Sequence, residues 1–250
     1  MIDMAKRKTE ISSTVLRALE ILEYLKDNIG PQSVTEIANN LGFSTTIVHR
    51  LLATLKMQGF VFQDTQTRLY SLGTIFIEYA NKLTTELPFA SIIEPELLTL
   101  RNQTEETVGF YILNGYKRVC VLEYESRLEI RRSVGVGTIY PAHSGATGRS
   151  LISFLSSTIQ QDYMKEIEGE ELQAFKEKVK ETKQQGYAIS YEEINENVTA
   201  LSAPVFDQHD RLIGAISISG PMFRFQKEQI EKYVPLLLAS TKRIKEVLGE

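Results

Sequence analysis

SVTEIANNLGFSTTIVHRLLATLKMQGFVFQDTQTRLYSL, residues 33–72, is the stretch whose punctuation decides the fold of the first part of the chain. Ser33-Val34-Thr35-Glu36 reads as a capping box, in which the Ser33 hydroxyl accepts an orphan amide hydrogen and Glu36 reaches back to the Ser33 amide. The helix it opens spans 35–41, with Ile37, Ala38 and Leu41 on one face. Gly42 supplies the left-handed position that ends it, and Phe43 is expected to bury in the turn. Ser44 then caps a second helix over 45–58, which Gly59 ends. In that helix Val48, Leu51, Leu52 and Leu55 fall on one side, and Thr45, Thr46, His49, Arg50 and Ala53 on the other. Phe60-Val61-Phe62 and Arg68-Leu69-Tyr70-Ser71-Leu72 alternate like strands around the polar turn 64–67.

Helix, glycine turn, capped helix and short hairpin form a winged helix-turn-helix pattern. Its second helix fits the DNA major groove and its hairpin can hold the phosphate backbone. A polar outer face alone would describe any solvated amphipathic helix; the turn before it and the hairpin behind it point to DNA. Thr45, Thr46, His49 and Arg50 are expected at base edges, where Thr meets thymine methyls and Arg pairs bidentately with guanine. Ser33, Lys56, Arg68 and Tyr70 are expected at phosphates, with Thr35 and Ser44 in the same DNA-facing set. Charge is local rather than global: the net charge is −4, and residues 1–72 carry eight Lys or Arg against seven Asp or Glu. Lys6-Arg7-Lys8 reads either as a phosphate-seeking arm or as a charged terminus with no role.

At 250 residues the chain allows one large domain or two modest ones, and 42% hydrophobic with 24% charged residues are ordinary soluble values. No apolar run approaches the roughly 18 residues of a membrane span, and Met1 to Glu10 lacks the apolar region of a signal peptide. The single cysteine, Cys120, excludes an internal disulfide, fits a cytoplasmic protein and is expected to be a small buried thiol in an apolar strand. Three dispersed histidines and one cysteine leave no zinc-site spacing, so neither metal nor cofactor is expected.

The predicted organisation is α+β. Residues 1–72 form the DNA-binding domain, opened by a helix over 13–27 whose Leu16, Leu19, Ile21, Leu22 and Leu25 pack under the reading pair or meet a second copy. Residues 73–88 form a linker helix, and 89–250 a second domain with an antiparallel sheet. There a helix over about 89–104 carries Pro95 as a kink or late start. Strands follow at 108–113 and 118–124 around Asn114-Gly115, with a third at 128–134. A helix bearing Leu151, Ile152, Phe154 and Leu155, a charged helix over 170–185, strands at 201–206 and 212–219, and a last helix over 226–247 complete it.

The arrangement resembles the IclR family of bacterial transcription regulators over about residues 14–247. The N-terminal marks are Leu16-Arg17-Ala18-Leu19-Glu20-Ile21-Leu22, Thr35-Glu36-Ile37-Ala38, Leu41-Gly42, Arg50-Leu51-Leu52, Gly59-Phe60 and Tyr70-Ser71-Leu72-Gly73. More specific marks follow: Pro141-Ala142-His143-Ser144-Gly145-Ala146-Thr147-Gly148-Arg149, Gly186-Tyr187-Ala188-Ile189, Ala203-Pro204-Val205-Phe206-Asp207 and Ser217-Ile218-Ser219-Gly220-Pro221. The resemblance implies a GAF-like effector-binding second domain, and homodimers or homotetramers on palindromic promoter DNA. Repression is the commoner outcome in that family.

Residues themselves also point to a small-molecule site. Ser144, Gly145, Ala146 and Thr147 put bare amides and hydroxyls at the start of a helix, a natural place for a carboxylate or phosphate. Ser217 and Ser219, two apart on a strand, face the same way. A glycine-rich loop that merely relieves crowding would look the same. The resemblance implies effector contacts at Gly145, Ala146, Ser190, Ala200, Ser217 and Ser219. Ser190-Tyr191 stand where an acid is common in the family and Ala200 where a cysteine often contributes. A roomier, less polar pocket is therefore expected, for a small organic acid or an aromatic or sugar-derived metabolite.

No catalytic residues are expected. Gly145 to Ser150 lacks the spacing and lysine of a phosphate loop, and His143 beside Ser144 lacks a nucleophile elbow. The alternative to a DNA-binding regulator is a ligand-binding signalling module without DNA recognition, which the hairpin and the second helix argue against.

Overall fold

The computed structural model describes residues 11–85, 89–165, 167 and 169–248; Lys6-Arg7-Lys8 and the rest of 1–10 lie outside the described residues. The chain splits into two compact units divided after Thr85. The first contains helices α1 (Ser13–Asp27), α2 (Val34–Leu41) and α3 (Thr45–Met57), strands β1 (Val61–Gln63) and β2 (Tyr70–Leu72), and helix α4 (Ile75–Thr85). The capping box forms as the spacing requires: the Ser33 amide donates to the Glu36 carboxylate at 2.7 Å, and the Glu36 amide to Ser33 Oγ at 3.2 Å. Gly42 sits at φ 68° and ends α2, and Ser44 Oγ accepts from the Ile47 amide at the start of α3. Ser33→Ala should cost about 1 kcal/mol, read as a lower melting temperature of the first unit.

The inward faces of α1, α2 and α3 meet in one core of Ile21, Leu25, Ile37, Ala38, Val48, Leu51 and Leu52, closed by Val61 and Tyr70 from the hairpin. Leu16 and Leu19 of α1 stay about half exposed, so only part of the predicted stripe serves that core. β1 and β2 pair antiparallel, and Asp64 stitches their turn by accepting from the Gln66 and Thr67 amides and the Thr67 hydroxyl. Those bonds, the Thr67 amide first, hold the Asp64 carboxyl below the usual carboxylate range. α4 belongs to this unit, with Phe76 and Tyr79 against Phe60 at 5.7 and 5.9 Å between ring centroids.

Among the described residues the second unit forms a six-stranded antiparallel sheet with helices around it. It contains α5 (Ala90–Thr104), β3 (Thr107–Asn114), β4 (Lys117–Tyr124), β5 (Ile139–Pro141), α6 (Gly145–Ile152), α7 (Ser157–Met164), α8 (Gly169–Gln185), β6 (Ala188–Tyr191), β7 (Val198–Phe206), β8 (Leu212–Pro221) and α9 (Lys227–Val247). The strand order is β5-β4-β3-β8-β7-β6. Alternation along the strands sorts the two faces. Val108, Phe110, Leu201, Ala203, Ile216 and Ile218 pack with Ile93, Leu97 and Leu100 of α5 and Ile230, Leu237 and Ile244 of α9. The opposite face carries Tyr111, Cys120 and Ala215 against Leu151 of α6, and a further core joins Ile152 to Tyr163, Phe175 and Val179 of α7 and α8. Cys120 is fully buried, and burial pushes its thiol up to about 12. Glu106, just before β3, takes a bidentate pair from Arg224 at 2.6 and 2.9 Å beneath Gly220, where a Cβ would strike the carboxylate.

Several expectations are corrected. Residues 128–134 are not a strand; the third strand of that run is β5, paired with β4. Side chains rather than a neighbouring strand bond to the segment's two ends: the Leu128 amide donates to Ser126 Oγ, Glu123 accepts from the Val134 and Gly135 amides, and Thr107 Oγ1 donates to the Arg132 carbonyl. The hairpin turn is Gly115-Tyr116, because Asn114 already pairs with Lys117. α6 ends at Ile152, before Phe154 and Leu155, and α7 follows where no helix is predicted. Pro95 lies inside α5 rather than delaying its start.

Candidate DNA-reading face and ligand pocket

α3 presents Thr45, Thr46, His49, Arg50 and Ala53 to solvent while Val48, Leu51 and Leu52 anchor it from behind. Thr35 and Ser44 are exposed at the two helix starts, and Ser33 is half-buried with its Oγ engaged in the cap. Arg68, at φ 63°, holds the tip of the hairpin and is exposed. Lys56 reaches from the last turn of α3 to Gln63 on β1 at 2.9 Å, fixing the hairpin against the helix. Among the described residues neither Arg50, Lys56 nor Arg68 is in an ion pair. One exposed face thus offers unspent cations and short polar side chains on rigid supports. Tyr70 is a correction: it is only 4% exposed, packs in the core, and its backbone pairs with Gln32 in both directions at 2.8 Å, so its ring does not belong to that face.

In the second unit a cavity lies on the sheet face opposite α5 and α9. Ala200, Ser217 and Ser219 form its floor, and Thr147 and Ser190 its side wall. Gly109 pairs with Ser217 across the ladder, and the Tyr111 ring of the same strand lies over it: a Cβ at Gly109 would stand 3.0 Å from Tyr111 Cε2. Gly145 and Ala146 are buried beside the cavity without lining it. Gly145, at φ 65°, has Ile194 so close that a Cβ there would stand 2.7 Å from Ile194 Cδ1. Ser144 is also a correction, because its hydroxyl donates to the Pro141 carbonyl at 2.9 Å and accepts from Arg118 at 3.0 Å, and it does not line the cavity.

The expectation of a roomy, weakly polar pocket is overturned. The cavity measures about 40 Å³. Ala200 does not make it large, and Ile194 and Asn195, from the β6–β7 connection, line the cavity with it. Tyr111, Arg118, Arg132 and Tyr140 fill the other side, none of them anticipated. An acid is present after all: Glu193, three positions beyond Ser190, lines the wall and is held by Arg149 and by Lys178 at 2.9 Å. Burial pushes the Glu193 carboxyl up, but the Arg149 and Lys178 contacts outweigh it and leave it below the usual range. Arg118 is 2% exposed, its guanidinium 4.9 Å from the Tyr140 ring centroid and 5.9 Å from that of Tyr111. Burial pulls it down to about 10. One signal could have found it: Arg118 and Cys120 share a strand face, and an arginine at an inward position of an apolar strand needs a reason.

An exposed groove-reading helix in one unit and a small polar cavity in the other define a class of protein: a DNA-binding regulator with a sensor domain. Comparison with known families bears this out. Residues 14–65 match the family model described as "IclR helix-turn-helix domain" and residues 81–246 the one described as "Bacterial transcriptional regulator IclR C-terminal". The chain belongs to the IclR family of bacterial transcriptional regulators, with a helix-turn-helix DNA-binding domain and a C-terminal effector domain. It is 25% identical over 244 residues to the "Transcriptional repressor IclR" of Escherichia coli K12, covering 92% of this chain and 88% of that one. The crystal structure of the Thermotoga maritima IclR is similar at a TM-score of 0.75 and 26% identity, covering 95% of this chain and 99% of that one. An IclR homologue from Microbacterium hydrocarbonoxydans, complexed with 4-hydroxybenzoate, shares the fold at a TM-score of 0.81 and 15% identity, over 94% and 99% of the two chains. Among the described residues no helix is long and apolar enough to cross a membrane, and no cluster of three His, Cys, Asp or Glu could hold a metal ion.

Proposed function

We propose that this protein is a cytoplasmic repressor that binds an inverted-repeat operator as a dimer or tetramer, and that a small organic ligand in the second unit changes its grip. The observation that carries the reading is the exposed face of α3; in this reading Thr45, Thr46, His49 and Arg50 meet base edges and Ser33, Thr35, Ser44, Lys56 and Arg68 face the phosphate backbone. Two copies would set two such helices about one DNA turn apart, which calls for a palindromic site. A ligand alters affinity only by favouring one arrangement of the heads over another. α4, in the linker region 73–88, is the natural element to carry that bias. The organic-acid character of the ligand is supported by the arginines in the cavity wall, and a fold neighbour complexed with an aromatic acid is in keeping with it.

Selecting bound fragments from the host genome tests the reading, and recovery of a shared inverted repeat is the expected result. On that site Arg50→Ala should cost about 1–3 kcal/mol and relax preference at one base pair, whereas Arg68→Ala should weaken all sequences alike and lower the salt dependence. Equal losses for Arg50→Ala on specific and random duplexes would remove it from the base-reading set.

A further inference from the structure

We propose that Arg118 is the anion anchor of the cavity, and that the ligand is a short-chain carboxylic acid docked side-on against its Nε and Nη2. This rests on the second unit being an effector domain, and deepens that reading by naming the group that selects the ligand.

Arg118 uses Nη1 alone for hydrogen bonds to described residues. Its Nη1 donates to the carbonyls of Pro141 at 2.8 Å and Ser144 at 2.6 Å, and to Ser144 Oγ at 3.0 Å. Nε is buried with no partner, and Nη2 makes no hydrogen bond to any described residue. Those two N–H groups share one edge of the guanidinium, the edge that receives a carboxylate through two parallel bonds. A buried donor left unpaired is costly, and an arginine does not shed its proton to escape that cost. The Tyr140 and Tyr111 rings beside the guanidinium hold the edge in place.

Charge around the cavity agrees. No carboxylate pairs with Arg118 among the described residues, and the one acid in the wall, Glu193, is spent on Arg149 and Lys178. Arg132, the second cation of the wall, donates to the Tyr140 hydroxyl at 2.9 Å and the Ser133 carbonyl, and has no ion pair. The cavity wall is therefore cationic, and its buried cation, Arg118, is where an anion gains most. Thr147, Ser190, Ser217 and Ser219 are all buried and line the cavity, and none of their hydroxyls bonds to another described residue. A ligand that met the Arg118 edge would find these groups still free to hold its remaining oxygens. Size limits the rest. A water needs roughly 10–15 Å³ by this measure, so 40 Å³ suits a two- or three-carbon acid with little movement of Ile194. An aromatic acid would require the 192–197 connection to lift.

Calorimetric titration of the full-length protein at fixed ionic strength tests this, with propionate and lactate against propionamide and lactamide, and benzoate as the size control. The acids should bind, with their amides roughly 30-fold weaker or worse, and benzoate weaker than propionate. Ser217→Ala should keep the preference for acid over amide, and Arg118→Lys should lose most of it. Arg118→Met can fail to fold, because Nη1 also ties down the 141–144 loop. The acid-to-amide ratio on the unaltered protein decides the matter without it. Equal binding of acid and amide, benzoate binding tighter than propionate, or no binding by either short acid would overturn the proposal. DNA retention measured on the same samples separates the two readings. A neutral ligand that shifts retention sinks the anchor and leaves the sensor, while an acid that binds without shifting retention does the reverse.

Discussion

Arg224→Ala should destabilise the second unit by about 3 kcal/mol at neutral pH and leave the first unit's melting unchanged. The loss comes less from the missing bonds than from what remains. Glu106 has only 3% of its side chain exposed, and without the bidentate partner it becomes a lone buried carboxylate. The deficit has a sign in pH. Burial already raises the Glu106 carboxyl above the usual range, and Arg224 only partly offsets this. A carboxyl whose folded value exceeds its unfolded one stabilises the fold below the unfolded value and loses that contribution as pH rises through the folded one. Removing Arg224 lifts the folded value further, so the deficit should be greatest at neutral pH and shrink on acidification. Adding Glu106→Gln to Arg224→Ala should recover much of the stability at pH 7 and flatten the pH dependence. Thermal melts of the three variants at several pH values check this.

Leu52→Ala should cost about 2–5 kcal/mol in the first unit and abolish DNA retention. Leu52 is fully buried where α1, α2 and α3 meet. A head of this size has only a few kcal/mol to lose. The second unit, with its own core, should keep its ligand affinity in this variant. A melt with two transitions, only the lower one displaced, is the expected trace.

Local punctuation was easy to read in the sequence, and long-range closure was not. The capping box at Ser33, the left-handed Gly42, the Ser44 cap and the alternation around 64–67 each follow from neighbours within four residues, and each is present. Tyr70 alternates with Ser71 and Leu72 in a way that identifies a strand, but the choice of inward face is made by the α1–α3 core, and alternation alone does not show that the Tyr70 ring points into it. The span 128–134 has strand-forming composition, yet its Val134 amide and Arg132 carbonyl bond to the side chains of Glu123 and Thr107 rather than to a neighbouring strand, and no local pattern reveals that. In the pocket, the helix start points to Thr147 and strand alternation to Ser217 and Ser219, whereas Ser190 and Ala200 are implied only by the resemblance to the IclR family. Arg118, Arg132 and Tyr140 come from β4, the 125–138 connection and β5, and only the tertiary fold brings them to the same cavity.

The Kd for the selected operator duplex, with and without a saturating short-chain acid, decides whether the second unit governs the first. A sensor that biases the heads should move that Kd by about 5- to 150-fold, equivalent to 1–3 kcal/mol of coupling. An acid that occupies the cavity while the operator Kd stays unchanged would contradict the claim that the second unit governs how the first holds DNA.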